Sequence, residues 1–455
     1  TPYGDIIEQT PLVIQNGREL KAKWTIKQDV IGFEIEDLDP AFPYIIDPAV
    51  RQWGTYYGGN NIDNVKAISV DGSSNVYMTG WTVSGNGTSI ATAGAHQSTL
   101  ISASYQAFLV KFNSSGIRQW GTYFGGTLDE IAYGCKVDNS GDVYITGYSS
   151  SPTTTDVATP GAHQTTLGGN SDAFLAKFNT SGVLQWSTYY GGAENDLSFV
   201  CTTDGSGNVY IAGASASTLN IATGGAHQNA FGGGTSDAFL VKFNTAGVRQ
   251  WATYYGGAGN ESGYGCSVDG SGNVYLTGLS TVDVGTVIAT AGCHQASSGG
   301  NYDGFLVKFD ASGVRQWGTY YGGSGDEYAY GCTVDGSGNI YFTGFTNSNN
   351  GTSIATAGSH QSSLSPASYD AYLVKFNGSG VRQWATYYGG SGYEIAYTCI
   401  TDPATDVYLT GYTSTNTGTT IASSPAYQFS YGGGSYDAFL AKFSSNGVRQ
   451  WGTYY

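Results

Sequence analysis

Asp335-Gly-Ser-Gly-Asn-Ile-Tyr-Phe-Thr-Gly344, followed by Asp370-Ala-Tyr-Leu-Val-Lys-Phe376 and Val381-Arg-Gln-Trp-Ala-Thr-Tyr-Tyr388, is the stretch whose reading decides the fold. Runs of β-branched and aromatic residues alternate with Gly, Asn, Ser and Asp, the pattern of short strands between turns. Four strands are predicted in this copy: Ala329 to Val334, Asn339 to Thr343, Asp370 to Phe376 and Val381 to Tyr388. Asp335-Gly-Ser-Gly-Asn339 joins the first two as a tight turn, and Asn377-Gly-Ser-Gly380 joins the last two as a hairpin. Two hairpins in series make a four-stranded antiparallel sheet.

The same unit recurs along the chain. The Gln-Trp pair returns with its Trp at Trp53, Trp120, Trp186, Trp251, Trp317, Trp384 and Trp451, at spacings of 67, 66, 65, 66, 67 and 67. Self-similarity at this period marks a repeat fold, and blades of four strands fit a β-propeller better than the short coils of a solenoid. Residues 60–455 therefore hold six tandem repeats of an all-β propeller. With the Ala329 strand innermost, the turns at Asp335 and Asn377 share one face of the disc. The Phe345 to Tyr369 connection and the between-blade loop Gly389 to Glu394 share the other. Long loops on a rigid scaffold are where binding concentrates, so the second face is expected to carry function.

Residues 1–59 fall outside this pattern. Gln52 to Tyr57 reads as a seventh Gln-Trp strand, and Pro11 to Gln15, Leu20 to Lys27 and Val30 to Glu36 alternate well enough to be strands. The preferred expectation is a divergent seventh blade; the alternative is six blades plus the end of a preceding β-rich domain.

Composition agrees with an all-β class: 11% of residues are charged, 69 are Gly and 36 are Tyr. The net charge of -16 argues against nucleic acid or an anionic membrane surface as partner, since both recruit clustered Lys and Arg. No apolar run is long enough to span a bilayer as a helix. The chain opens on Thr1 without a signal peptide, as expected of a mature or trimmed portion of something longer.

Thr319-Tyr-Tyr-Gly-Gly323, the Asp335 to Gly344 run and Asp370 to Phe376, repeated over residues 51–455, resemble the bacterial β-propeller repeat (SBBP-type) of large secreted and cell-surface proteins, mainly of the Bacteroidetes. Pro11-Leu-Val-Ile-Gln15 and Ile45-Ile-Asp-Pro48 look like the end of the β-rich domain that often precedes such repeats. The long loops depart from the family, with Ile90 to Gln97 in place of a Phe-Pro-Thr-Thr type of sequence. The resemblance implies export, often by type IX secretion, and display outside the cell or on its outer surface. It implies little chemistry, because the repeat is a scaffold.

Candidate site residues repeat with the blades. His96, His163, His227, His294 and His360 hold one position, filled by Tyr427 in the sixth copy. Zinc needs its nitrogens at about 2.0–2.1 Å, and equivalent loops around an axis are too far apart for that, so a structural role is expected. Cys135, Cys201, Cys266, Cys332 and Cys399 occupy one innermost-strand position where the first blade has Ile68, which favours packed free thiols; Cys293 stands alone. Acidic residues recur in the between-blade loop (Asp129, Asp196, Glu261, Asp326, Glu394), in the tight turn (Asp71, Asp138, Asp204, Asp269, Asp335, Asp402) and on the third strand (Asp172, Asp237, Asp303, Asp370, Asp437). Asp138-Asn-Ser-Gly-Asp142 looks like half of a calcium loop but lacks the downstream bidentate Glu. Asp129, Asp196, Asp326, Asp138 and Asp142 are thus weak calcium candidates, and no cofactor is assigned. Lys308 and Arg315, repeated as Lys375 and Arg382, are expected to tie blades together through the third-strand Asp. The Trp and Tyr stripe reads as core and inter-blade packing, or as glycan stacking where it is exposed.

Gly322-Gly-Ser-Gly325 lacks the Lys-Ser/Thr tail and following helix of a phosphate loop, and no Gly-x-Ser-x-Gly elbow sits on a strand-to-helix turn. Catalysis needs one asymmetric constellation, whereas near-identical blades offer one surface six times. The expectation is a non-enzymatic structural, adhesive or multivalent binding module for a glycan or protein ligand, within a larger surface assembly. A polysaccharide-acting lyase or glycosidase is the alternative.

Overall fold

The computed structural model describes residues 13–15, 18–27, 30–41, 44–46, 52–85, 88–152, 157–281, 287–349, 353–366, 369–418, 420–423 and 426–455. It is an all-β, six-bladed propeller. Each blade is a four-stranded antiparallel sheet with its strands in chain order, and the blades cover residues 63–124, 130–190, 196–255, 261–321, 327–388 and 394–454. In blade 5 the strands are Glu327–Val334, Ile340–Thr346, Asp370–Phe376 and Arg382–Tyr388. First strands of successive blades pack on one another, so the first strand is innermost. The antiparallel order places the tight turns on one face, and the between-blade loops with the long connections on the other.

Local chemistry explains the repeat. In the tight turn of blade 2, Asp138 Oδ1 accepts the amides of Ser140 at 2.8 Å and Asp142 at 3.0 Å, an Asx turn with Gly141 at φ 83°. At the other face Gly126 N donates to Glu130 Oε2 at 2.7 Å, and Gly192 N to Asp196 Oδ2 at 2.7 Å, which fixes the loop entering each blade.

The outer strand joins neighbouring blades. Trp186 Nε1 donates to Thr245 O of the next blade at 3.0 Å, and Tyr190 OH to Ile221 O at 2.6 Å. The adjacent Tyr189 turns inward and donates to Ser151 O of its own blade at 2.6 Å. Lys177, Lys242, Lys308, Lys375 and Lys442 lie 5.0–5.3 Å from the ring centres of second-strand tyrosines, a cation–π contact. The core is therefore a belt of buried aliphatic and aromatic clusters running from blade to blade.

Among the described residues the N-terminal strands form no seventh four-stranded blade. β1 (Val13–Gln15), β2 (Arg18–Leu20) and β5 (Tyr44–Ile46) make a three-stranded sheet in the order β2-β1-β5, while β3 (Ala22–Lys27) pairs with β4 (Val30–Ile35). The alternative expectation, six blades plus a β-rich N-terminal segment, describes the chain. The physical reason is local: this segment lacks the Asp-Gly-Ser-Gly-Asn turn and the third-strand motif, so its strands close on each other. Pro11 of the first expected strand lies outside the described residues.

Candidate binding surface around the axis

Every innermost strand carries a β-bulge. In blade 5 the register shifts between Ala329 and Gly331, and the extra residue is Tyr330. The matching residues are Tyr133, Phe199, Tyr264 and Tyr397, with Lys66 in blade 1. A bulge re-aims one side chain out of the alternation of its strand. Here it produces an unbroken arc: ring centres are 5.7 Å apart for Tyr133 and Phe199, 5.1 Å for Phe199 and Tyr264, 5.4 Å for Tyr264 and Tyr330, and 5.5 Å for Tyr330 and Tyr397. Lys66 Nζ lies 5.7 Å from the centre of the Tyr133 ring and heads the arc. Equivalent residues of neighbouring blades can meet ring to ring only beside the axis, so this arc lines the inner wall.

Toward the loop face the arc broadens on blades 4 to 6. Tyr328 stacks on Phe345 at 4.7 Å and 14°, Tyr369 meets Phe345 at 5.2 Å, and Tyr412 meets Tyr436 at 4.7 Å. Tyr302, Tyr393, Tyr397 and Tyr436 are exposed, between 37% and 55%. Partial burial raises the phenol pKa of Tyr133, Tyr264 and Tyr330 above the ordinary value. The hydroxyls stay protonated at neutral pH as donors, and the ring faces offer stacking area. Blades are not equivalent here: the position of Tyr328 is Ile131 in blade 2, Leu197 in blade 3 and Ser262 in blade 4.

The histidines lie elsewhere, between blades. His163 sits 6.0 Å from the Tyr190 ring of its own blade and 5.8 Å from Phe243 of the next. His227, His294 and His360 repeat the arrangement with Tyr255 and Phe309, Tyr321 and Phe376, and Tyr388 and Phe443. Burial first, and the next blade's Arg second, press all four imidazoles down to about 4. His96 contacts Phe124 and Phe178 in the same way. Each ring belongs to its own inter-blade seam.

The six cysteines are free thiols, with Cys135, Cys201, Cys266 and Cys399 buried. Cys201 Sγ approaches Tyr144 O of the previous blade at 3.7 Å, and desolvation pushes that thiol up to about 12. Desolvated in this way, the innermost-strand thiols are poor nucleophiles.

The calcium candidates are not brought together. Asp138 and Asp142 lie on the tight-turn face, and Asp142 Oδ2 pairs with Lys177 Nζ at 2.9 Å. Asp129, Asp196 and Asp326 lie on the loop face of blades 2, 3 and 5. Asp129 Oδ1 accepts Tyr105 N at 3.0 Å, and Asp196 Oδ2 accepts Ser217 Oγ at 2.8 Å. The recurring loop carboxylate is Glu130 and Glu327, one residue beyond Asp129 and Asp326. Among the described residues no three His, Cys, Asp or Glu side chains are grouped to hold a metal.

Among the described residues the expected pairing of Lys308 and Arg315 with third-strand Asp is not formed. Asp303 is the second residue of its strand, Tyr302–Phe309, and Lys308 lies five residues on, about 16 Å along extended backbone. Lys308 Nζ instead donates to Gly378 O at 3.2 Å and Lys375 Nζ to Ser445 O at 3.1 Å, while Arg315 reaches Val287 O and Arg382 reaches Ser353 O. Asp303 is held by Gln295 Nε2 at 2.9 Å and Gly299 N at 2.8 Å.

With this geometry established, the family described as SBBP, beta-propeller repeat, matches residues 52–88 and 250–284, which supports that family for the repeat unit. An uncharacterized WD repeat-containing protein of Acanthamoeba polyphaga mimivirus is 22% identical over 359 residues, 67% of this chain and 26% of the viral protein. The regulatory protein FlaEY of Caulobacter vibrioides is 28% identical over 150 residues, 33% of this chain and 15% of that protein. The chain thus aligns with about a quarter or less of either relative. Among solved structures, a Dyadobacter fermentans protein of unknown function aligns at TM-score 0.40 and 11% identity, covering 78% of this chain and 92% of that one. A Xanthomonas campestris gluconolactonase aligns at TM-score 0.36 and 8% identity, covering 78% and 84%. Likeness this distant carries no argument about activity.

Proposed function

We propose that the chain is a binding module whose axis-lining tyrosines take up a glycan or a protein ligand without turning it over, and that it acts outside the cell or on its outer surface. The observation that carries this reading is the aromatic arc from Tyr133 to Tyr397 and its exposed extension over Tyr302, Tyr393 and Tyr436. Contiguous exposed aromatic surface is uncommon unless something covers it. Aromatic faces with phenol donors at their rim suit sugar rings, which present an apolar face edged by hydroxyls. Because the arc repeats blade by blade, an extended ligand would meet several weak contacts at once and gain by avidity. Most oxygens of the buried carboxylates accept backbone amides or side-chain hydroxyls, and the innermost-strand thiols are packed, which favours binding over catalysis.

Screening the chain on arrays of polysaccharides and surface proteins, with product analysis on every hit, tests this. Ligand retained without turnover is the expected outcome. Turnover of a bound polysaccharide would overturn the reading in favour of an enzyme, and silence on all arrays would leave a structural spacer.

A further inference from the structure

Residues 52–57 lie outside every sheet, yet they make the contacts of an outermost strand. Trp53 Nε1 donates to Ser114 O at 3.0 Å, as Trp120 does to Thr180 O and Trp186 to Thr245 O. Tyr57 OH donates to Ile90 O at 2.7 Å, as Tyr190 does to Ile221 O, and Gly59 N donates to Asp63 Oδ2 at 2.7 Å. This segment therefore holds the outermost-strand place of a blade preceding blade 1. Tyr56 reports what that blade lacks. Its counterparts Tyr123, Tyr189, Tyr254, Tyr320, Tyr387 and Tyr454 are at most 1% exposed, whereas Tyr56 is fully exposed at 104%. Tyr123, Tyr254 and Tyr387 spend their hydroxyls on the carbonyl just past the second strand of their own blade, Ser84, Ser217 and Ser348.

Both flanks of the opening agree. Blade 6 does not pack on blade 1 as the other blades pack on their successors, among the described residues. On blade 1, Val65, Ile68 and Val70 are 47%, 60% and 57% exposed, while Ala132, Cys135 and Val137 at the same places of blade 2 are at most 8%. On blade 6, Tyr408 and Leu440 are half-buried where Tyr341 and Leu373 are fully buried. Trp451 Nε1 is buried with no hydrogen-bond partner, although Trp384 Nε1 donates to Ser445 O of the following blade at 2.9 Å. Blade 6, of this chain or of a second copy, does not fill the opening, because its own outermost strand Arg449–Tyr454 would need the place that residues 52–57 hold.

We propose that the opening is the docking surface for a three-stranded segment of the same repeat type, which pairs with residues 52–57 as its outermost strand and completes a seventh blade. Its first strand packs on Tyr408 and Leu440 of blade 6. Its second and third strands cover Ile68 and Val70 of blade 1. It offers one carbonyl to Tyr56 and another to Trp451 Nε1.

The experiment appends to Tyr455 a second copy of residues 389–446, a repeat without its Gln-Trp strand, and compares this chain with the unextended one. Nitration of Tyr56 by tetranitromethane, mapped by peptide mass, is expected to fall at least about tenfold, as for a side chain reached only through local opening. Tyr56→Ala is expected to lower the unfolding midpoint of the extended chain and to leave that of the unextended chain unchanged. Continued nitration of Tyr56 in the extended chain, or a protease-sensitive extension, overturns the proposal. So does Tyr56 protection in the unextended chain: as a monomer by sedimentation the N-terminal sheets are the occupant, and as a dimer a second copy is.

Discussion

Tyr190 is wholly buried, and its hydroxyl donates to Ile221 O in the next blade at 2.6 Å. Phenylalanine there keeps the ring and leaves Ile221 O with the longer Arg249 Nη1 contact at 3.4 Å, so Tyr190→Phe is expected to cost about 0.5–1.5 kcal/mol in urea denaturation, the net worth of one hydrogen bond. A loss within error would show that the Arg249 guanidinium or water satisfies Ile221 O in place of the hydroxyl. His163, His227, His294 and His360 make a second residue-scale prediction. Their folded pKa of about 4 lies below the unfolded value of about 6.5. As pH falls, the unfolded chain takes up protons first, so their contribution is whole above about pH 6.5 and is lost toward pH 4. Buried carboxylates oppose this: Glu130 is pushed up to about 7, and Asp172 and Asp370 to about 6, mainly by desolvation. Their contribution is whole below about pH 4 and is lost as pH rises through 6 to 7. Imidazole NMR is expected to show none of these four histidines titrating between about pH 5 and 8. A midpoint near 6 would place the ring in water and remove it from the seam.

The outer hairpin of each blade is where one element constrains the next. Gly182 closes the third-to-outer turn of blade 2 at φ 79°, and a Cβ there would lie 2.8 Å from Cδ2 of Trp120 in blade 1. Gly182→Ala therefore combines a left-handed backbone penalty with displacement of a tryptophan that bonds Thr180 O at 3.0 Å. A loss of about 2–4 kcal/mol is expected, read by chemical denaturation. Gly94, with φ 78° and open space around its Cβ, is expected to lose only the backbone part on the same substitution. Equal losses at both sites would mean that Trp120 does not pack as described.

Element boundaries were largely legible in the sequence. The third strand of blade 5 runs over Asp370–Phe376 as predicted, and the first begins two residues earlier than Ala329, at Glu327. Sequence alone points to Asp129 and Asp326 because a turn-forming Asp sits beside the carboxylate that caps the strand, Glu130 or Glu327. The bulge was not legible, because alternation gives no sign of an inserted residue. One signal was present in the glycine after the aromatic, as in Tyr133-Gly134 and Tyr330-Gly331. A Cβ at Gly331 would lie 2.7 Å from Thr398 Cα of the next blade, so backbone approach demands glycine there.

At the scale of the molecule, repetition accounts for the scaffold and its departures account for the site. His, Cys and Asp recur because each seam between blades is built alike. The aromatic extension over Tyr302, Tyr328, Tyr393 and Tyr436 runs across blades 4 to 6, and blade 1 carries the counterpart of the Tyr412–Tyr436 pair in Trp81 and Tyr105 at 4.4 Å. Among the described residues the ring around it is open between blades 6 and 1, and the exposed edges there are the faces that blades elsewhere bury. The most direct measurement is the affinity of an array-selected ligand for the chain and for Tyr330→Ala, where the arc meets its extension at Tyr328 and Phe345. A loss of at least about tenfold, or about 1.4 kcal/mol, with an unchanged unfolding midpoint is the expected result. Undiminished affinity in a folded Tyr330→Ala chain would contradict binding at the axis.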